Sequence, residues 1–288
     1  MTRILIVGHK GQLGRTLFHS PTDHELLGMD LPEYDITDAE GTQYALREMR
    51  PQIVINTAAY TNVDGAEAEP DLAYRINAHA AGHLARFCEE LGASLWHIST
   101  NEVFDGLRQG QPYDEWDLPD NTHGSTYARS KLAGENVIRF YHSRARIIRI
   151  SWLFSPGGRN FPSKIVAAAD KHGALRVVDD EFGVPTYAPD LARAIFQLID
   201  LKAPPGVYHL VNGEAVSRYE FAKEALRLTG RAHIPLTPIP HTEWRRAAQP
   251  PLRAVLANRA AAALGVTLRP WQEALADWVA AFTSRVGE

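Results

Sequence analysis

Tyr127 and Lys131 stand four residues apart, a spacing that places two side chains on one face of a helix. A fixed ammonium stabilises a phenolate, so we expect the lysine to lower the pKa of the tyrosine from about 10 towards neutral pH. A phenol tuned in this way can give its proton to a carbonyl oxygen while hydride reaches the carbonyl carbon. The pair therefore predicts acid catalysis of a carbonyl reduction.

A hydroxyl side chain is expected close to this pair. Ser99 and Thr100 follow the apolar run Leu95–Ile98, which we predict to be a buried strand. Ligands of open α/β sheets bind at the carboxyl ends of the strands. Thr100 would therefore share the negative charge that develops on the carbonyl oxygen with Tyr127.

Residues 8–14 form the glycine-rich segment GHKGQLG, directly after the apolar run Ile4–Val7 and before a predicted helix. Glycines permit a tight turn and a close approach of the backbone to a pyrophosphate, and the helix start offers unpaired N–H groups. The segment predicts a dinucleotide site whose contacts are Gly8, Lys10, Gly11, Gln12, Leu13 and Gly14.

Further cofactor contacts are expected where the next strands end. Asp30 ends the second predicted strand, where an acidic residue bonds the ribose hydroxyls and disfavours a 2′-phosphate. Lys10 in the glycine loop opposes that bias, so the expected cofactor is NAD(H) or NADP(H). The remaining predicted contacts are Asp35 and Ile36 near the adenine, and Ala58, Ala59 and Tyr60 along the path of the cofactor.

The first half of the chain alternates short apolar runs with amphipathic segments. Five such strand–helix units predict an α/β fold, a Rossmann-like doubly wound parallel sheet with a smaller C-terminal substrate-binding lobe. We assign residues 1–155 to the dinucleotide-binding domain and 156–288 mainly to the lobe, with elements around 176–212 also joining the sheet. The helix at 38–49 is expected to have Thr37 as its N-cap.

Composition excludes several classes of protein. The 288 residues carry a net charge of −4, so no basic field attracts nucleic acid or an anionic membrane. The single cysteine allows no internal disulfide, and no apolar run reaches the length of a membrane helix. His79 and His83 have a metal-ligand spacing but no third ligand, so no metal is expected. We expect a soluble, cytoplasmic protein.

Several further segments of the sequence resemble the corresponding segments of one known protein family. With the glycine loop and Tyr127–Glu135, their order and spacing resemble the dTDP-4-dehydrorhamnose reductase family, within the extended short-chain dehydrogenase/reductase superfamily. The likeness covers nearly the whole chain; its other segments are 56–64 (NTAAYTNVD), 103–106 (VFDG), 149–152 (RISW), 182–186 (FGVPT), 206–209 (GVYH) and 270–271 (PW).

This resemblance implies a reaction and roles for its residues. It implies reduction of a 4-keto-6-deoxyhexose linked to dTDP, with Tyr127 as the proton donor. Lys131 would hold the nicotinamide ribose, Thr100 would polarise the carbonyl and Trp152 would line the sugar pocket. The expected partner is thus a nucleotide sugar.

The sequence departs from the family pattern at three places. Thr100-Asn101-Glu102 replaces the usual Thr-Asp-Tyr, and we expect Asn101 and Glu102 to contact the sugar. Arg15-Thr16 stands where some relatives carry a glutamate in a metal-bridged dimer, so a monomer or weak homodimer is expected. Residues 249–251 (QPP) replace an Arg-Pro element, and Arg253 or its neighbours Arg245 and Arg246 would meet the diphosphate.

Two other functions are compatible with parts of the pattern. A nucleotide-sugar 4,6-dehydratase or epimerase would also use a Thr-x-Glu segment, but dehydration needs an acid where Asn101 stands. A non-catalytic, reductase-like regulatory subunit would need none of the intact set of Thr100, Tyr127 and Lys131.

Overall fold

The computed structural model describes residues 1–108 and 110–286, so residues 287–288 of the predicted lobe lie outside it. The strands are β1 (Arg3–Val7), β2 (Glu25–Met29), β3 (Ile53–Asn56), β4 (Ser94–Thr100), β5 (Arg146–Ile150), β6 (Leu153–Phe154), β7 (Leu175–Val178), β8 (Phe182–Gly183), β9 (Thr186–Tyr187), β10 (Gly206–His209), β11 (Val216–Ser217) and β12 (Leu236–Ile239).

The helices are α1 (Gln12–Phe18), α2 (Ala39–Met49), α3 (Val63–Ala68), α4 (Pro70–Tyr74), α5 (Ala81–Leu91), α6 (Thr126–Tyr141), α7 (Phe161–His172), α8 (Ala188–Asp200), α9 (Arg218–Leu228), α10 (Ala260–Ala263) and α11 (Trp271–Val286). A π-helical segment, Arg75–Ala80, joins α4 to α5, and short 3₁₀ turns cover Asn101–Val103 and His241–Glu243. No helix in the described part of the chain combines the length and apolarity needed to cross a membrane.

Six parallel strands form the central sheet in the order β10-β5-β4-β3-β1-β2. Alternate residues of β1 face opposite sides: Ile4 and Ile6 pack towards α1 and α8, whereas Leu5 and Val7 pack towards α2 and α5. The connections reverse direction between β1 and β3, which opens a crevice at the carboxyl ends of these strands. The predicted doubly wound α/β fold is confirmed.

The C-terminal third adds small sheets beside the carboxyl ends of the main strands. β6 pairs with β9, β8 with β11 and β7 with β12. Of the later strands, β10 joins the central sheet as expected, whereas β7 pairs with β12 instead. Aromatic side chains of α7, α9 and α11 form the core of this region.

The start of α2 differs from the prediction. Its N-cap is Asp38, whose side chain accepts a hydrogen bond from the N–H of Gly41 at 3.1 Å. The hydroxyl of Thr37 instead donates to Oδ1 of Asp35 at 2.8 Å. Two adjacent residues had capping chemistry, and the carboxylate took the cap because threonine was held by the preceding turn.

Candidate active site

A cavity of about 730 Å³ lies at the carboxyl ends of the central strands. It extends from the glycine loop to the start of α6 and to Trp152, so that both predicted ends of the site share one space. The predicted residues that line it are Gly8, Lys10, Gly11, Gln12, Leu13, Asp30, Asp35, Ile36, Ala58, Ala59, Thr100, Asn101, Glu102, Tyr127, Lys131 and Trp152.

Glycine is required in the loop for steric reasons. Gly8 has a φ of 81°, and a Cβ there would lie 2.8 Å from the backbone nitrogen of Ala58. A Cβ on Gly14 would lie 2.0 Å from the carbonyl oxygen of Gly8. Gly14 therefore lets α1 close against the loop rather than lining the cavity.

The loop carries a free donor that suits a phosphate. Nε2 of Gln12 is shielded from solvent, and no hydrogen-bond partner for it lies among the described residues. A buried donor of this kind costs free energy unless a ligand accepts its hydrogen. Together with the length of the cavity, this donor fits a bound dinucleotide.

Near the end of β2, the cavity residues Lys10 and Asp30 are held by polar contacts that include Glu33. Oδ2 of Asp30 accepts the backbone N–H of Lys10 at 2.8 Å, which fixes the carboxylate at the end of β2. The ammonium of Lys10 pairs with Glu33 at 2.6 Å and donates to the carbonyl of Leu31 at 2.7 Å. The lysine is therefore drawn towards acidic and backbone oxygens of the protein.

Tyr127 lies in the first turn of α6, whose start is firmly held. Ser125 caps the helix by accepting the N–H of Ala128, and Glu67 accepts both the N–H and the hydroxyl of Thr126, at 2.7 and 2.9 Å. This turn directs the buried phenol into the cavity beside Thr100. The hydroxyls of Thr100 and Tyr127 thus come from two neighbouring elements, β4 and α6.

The expected lowering of the Tyr127 pKa is wrong for this structure. Burial raises the pKa of Tyr127 and the nearby Glu102 carboxylate raises it further, while a hydrogen bond with Thr100 opposes the shift. The ammonium of Lys131 does not offset this, because Nζ turns to the carbonyl of Ile98 at 2.7 Å. The phenol is consequently fully protonated at neutral pH.

Lys131 is almost completely buried, and burial lowers its pKa to about 8 although Glu135 opposes the shift. Its Nζ lies 3.3 Å from Nε2 of His97, a residue of β4. Sequence reasoning assigned His97 no part in the site. The histidine is buried and its pKa is well below its ordinary value, so it is neutral.

Asn56 fixes the tautomer of this histidine. The side-chain oxygen of Asn56 accepts the N–H of Ala58 at 3.1 Å, so its amide nitrogen must be the atom that faces Nδ1 of His97, also at 3.1 Å. Nδ1 then accepts and the ring proton sits on Nε2, towards Lys131. This N–H faces the amine of Lys131, and the contact disfavours the charged lysine in the same direction as burial, although a pKa of about 8 leaves Lys131 mainly protonated at neutral pH.

Three predicted residues lie elsewhere or face away. Tyr60 does not line the cavity: its hydroxyl donates to Glu69 at 2.6 Å, and its ring packs against the Tyr127 cluster. Arg253 lies over the ring of Phe182, 4.4 Å from its centroid, and borders a second cavity of about 500 Å³. Asn101 lines the main cavity, but its amide donates to the carbonyl of Ala254 at 3.0 Å.

Sequence reasoning missed Arg218, the first residue of α9. Its guanidinium carbon lies 3.7 Å from the ring centroid of Trp152, and it lines the cavity. Trp152 has a φ of 46°, a left-handed conformation that costs about 1–3 kcal/mol outside glycine and is often found at functional sites. Only the tertiary packing of α9 on β6 brings these residues together.

Comparison with known proteins agrees with this geometry. A family model described as the RmlD substrate binding domain matches residues 1–284. The dTDP-4-dehydrorhamnose reductase of Mycobacterium tuberculosis H37Rv is 37% identical over 286 residues, which are 97% of this chain and 93% of that protein.

Two solved structures are similar throughout. A dTDP-4-dehydrorhamnose reductase from Clostridium acetobutylicum is 34% identical with a TM-score of 0.91, covering 99% of this chain and 100% of that one. The Bacillus anthracis dTDP-4-dehydrorhamnose reductase, solved in complex with NADP, is 34% identical with a TM-score of 0.89 and covers 96% and 98%.

The sheet order, the glycine loop and the Thr–Tyr–Lys set define an extended short-chain dehydrogenase/reductase fold. Within that class the matches extend over almost the full length of the chain. The chain belongs to the dTDP-4-dehydrorhamnose reductase family.

Proposed function

We propose that the protein uses NADH or NADPH to reduce the 4-keto group of a nucleotide-linked 6-deoxyhexose, converting dTDP-4-dehydro-L-rhamnose to dTDP-L-rhamnose. The observation that carries the proposal is that the glycine loop and the set Thr100, Tyr127 and Lys131 line one cavity. The similarity to dTDP-4-dehydrorhamnose reductases and the NADP complex of the Bacillus anthracis protein support it.

The residues of the cavity divide between cofactor and sugar. The glycine loop and Gln12 would hold the pyrophosphate, Asp30 the adenosine ribose and Lys131 the nicotinamide ribose. The reduced nicotinamide, when bound, supplies the hydride that the carbonyl carbon accepts. Trp152 would pack against the sugar.

The protein's own contribution to the reaction is to hold one proton and transfer it to the carbonyl oxygen. Thr100 and Tyr127 donate hydrogen bonds to the carbonyl oxygen, and Tyr127 transfers its proton as the C=O bond becomes C–OH. The raised pKa of Tyr127 keeps that proton in place until the carbonyl oxygen becomes basic. The phenolate left behind is stabilised by a positive charge on Lys131 and regains its proton before the next cycle.

Asn101 favours reduction over dehydration. Its amide is engaged with Ala254 and carries no proton of sufficient acidity to release a leaving hydroxyl. The cavity therefore lacks, at position 101, the acid that a 4,6-dehydratase needs to protonate the leaving hydroxyl.

The direct test follows nicotinamide oxidation with dTDP-4-dehydro-L-rhamnose and identifies the product by NMR. Replacement of Tyr127 by phenylalanine removes the transferred proton and is expected to reduce kcat about 100- to 10,000-fold. Tyr208→Phe is the matched control, because that phenol is also buried but bonds the carbonyl of Pro204 at 2.7 Å, away from the cavity.

Equal turnover by Tyr127→Phe and Tyr208→Phe would refute the role of the phenol. Cofactor binding by the wild-type protein without turnover of the keto sugar would instead favour the regulatory-subunit alternative.

A further inference from the structure

At the sugar end of the cavity, a carboxyl and a guanidinium line the same space without forming an ion pair. Glu102 and Arg218 both line the cavity, and no ion pair within 4.0 Å joins them among the residues that the structure describes. They are nevertheless close enough to influence each other, since burial raises the pKa of Glu102 to about 7 while Arg218 opposes that shift. The space between them is thus flanked by an acceptor and a donor.

Arg218 is held rigidly on its side of this space. Its guanidinium stacks on the indole of Trp152. Gly183 packs against the same indole so closely that a Cβ at position 183 would lie 2.6 Å from the ring. Oε2 of Glu181 lies 3.7 Å from Nε of Arg218, and Glu181 also pairs with Arg246. An arginine has five N–H donors, so donors remain for a ligand.

Glu102 is equally fixed on the opposite side. Its backbone N–H donates to Oγ1 of Thr100 at 3.2 Å, and its carbonyl accepts the side-chain amide of Asn121 at 2.7 Å. Its Oε2 atom is shielded from solvent and has no hydrogen-bond partner among the described residues. An acceptor left in this state costs roughly 1–3 kcal/mol, more when charged, so a ligand that donates to it binds favourably.

The donor and acceptor requirements select the ligand group. A hydroxyl can donate to Glu102 and accept from Arg218 at the same time. An anion is repelled by the carboxylate, a cation is repelled by the guanidinium, and an alkyl group leaves Oε2 unpaired. We propose that Glu102 and Arg218 jointly bind one ring hydroxyl of the substrate and thereby determine which sugar is accepted.

The position of Glu102 indicates which hydroxyl this is, and this step rests on the proposed function. Because the backbone of Glu102 is bonded to Thr100, the hydroxyl lies near the carbonyl that Thr100 polarises. In a 4-keto-6-deoxyhexose, the neighbouring carbon that carries a hydroxyl is C3. The pair therefore recognises the 3-hydroxyl.

The test measures binding, so that it does not depend on turnover. Calorimetry compares dTDP-L-rhamnose with its 3-deoxy analogue, each with the wild-type protein, Glu102→Leu and Arg218→Met. The wild-type protein is expected to bind the analogue about 10- to 100-fold more weakly, as for hydrogen bonds to charged groups. In either variant the two ligands are expected to bind within about threefold of each other.

Arg227→Met serves as the matched control, since Arg227 is an exposed residue of the same helix whose side chain pairs with Glu224. It is expected to keep the full discrimination. An unchanged dissociation constant for NADPH shows that a variant is folded, and Arg218→Met keeps the test available if Glu102→Leu does not fold.

Equal binding of the two ligands by the wild-type protein would overturn the assignment, as would undiminished discrimination in the folded variants. Absence of turnover in a separate assay would count against the proposed function alone.

Discussion

Replacing Glu135 by glutamine would remove one negative charge from a place that water does not reach. Arg149 donates to both carboxylate oxygens, at 3.0 and 2.8 Å, and is itself 1% exposed. Ser99 donates to Oε1 at 2.6 Å and Arg139 to Oε2 at 2.8 Å. This buried cluster ties α6, which carries Tyr127, to β4 and β5.

The expected loss of stability is large. Glutamine has nearly the same shape, but its NH₂ group would meet donors of Arg149 and the guanidinium would be buried without a counter-charge. Removing one partner of a buried ion pair costs about 3–5 kcal/mol. We expect Glu135→Gln to lower the free energy of unfolding at pH 7 by that amount.

The pH dependence of stability gives a second, independent value for the stabilisation that Glu135 contributes. Burial alone would raise the pKa of Glu135, but the charge and hydrogen bonds of Arg149, helped by Arg139 and Ser99, lower it to about 2 from an ordinary 4.5. A shift of this size corresponds to about 3 kcal/mol. Because the folded-state pKa is depressed, this stabilisation is present above about pH 4.5 and is lost as pH falls towards 2.

The assay is urea unfolding followed by tryptophan fluorescence between pH 7 and pH 3. The wild-type protein and Glu135→Gln are expected to differ by a constant amount above pH 5 and to converge below it. Glu224→Gln is the control, since Glu224 also accepts two hydrogen bonds from one arginine, Arg227, both at 2.7 Å but on an exposed surface. That substitution is expected to cost less than about 1 kcal/mol.

The reasoning would be refuted if Glu135→Gln cost no more than Glu224→Gln at pH 7. Stability curves of wild type and Glu135→Gln that stay parallel down to pH 3 would contradict the pKa argument specifically.

Three further substitutions test other parts of the site. Gly183→Ala places a methyl group 2.6 Å from the indole of Trp152, so KM for the sugar nucleotide should rise about tenfold or more with little change in KM for the cofactor. Glu33→Gln releases Lys10 towards a 2′-phosphate, so the ratio of kcat/KM for NADPH to that for NADH should rise a few-fold; an unchanged ratio would contradict this role. Gly14→Ala brings Cβ to 2.0 Å from a backbone oxygen, so NADPH affinity measured by fluorescence should fall about tenfold or more, and wild-type affinity would exclude the packing argument.

The cofactor side of the site could be predicted because it is encoded locally. The glycine loop lies within one strand–turn–helix unit, and Asp30 follows directly from the end of β2. The carboxyl ends of parallel strands lie at one edge of the sheet. Locating the strands from their apolar runs was therefore enough to predict that these residues lie close together. The apolar runs Ile4–Val7 and Leu95–Ile98 also lie within observed strands, β1 and β4.

The direction of the Tyr127 pKa could not be predicted in the same way. The four-residue spacing places Tyr127 and Lys131 on one helix face, but it does not say where a long flexible side chain ends. The lysine amine reaches the carbonyl of Ile98 and the ring of His97, and both of these residues belong to another element, β4. Burial then determines the pKa of the phenol, and burial is a property of the whole fold.

The arrangement of residues at the sugar end of the cavity was even harder to predict from the sequence. Glu102 and Trp152 were expected at the sugar, but the sequence around Gly183 and Arg218 gave no sign that these residues lie beside them. The stack of Arg218 on Trp152 is a packing contact between separate segments, and no turn or spacing predicts it. A change at Glu102 can therefore alter which hydroxyl pattern is accepted while the cofactor loop and the Tyr127 turn stay intact. If the proposed roles hold, sugar preference and hydride chemistry depend on separate groups of residues within this fold.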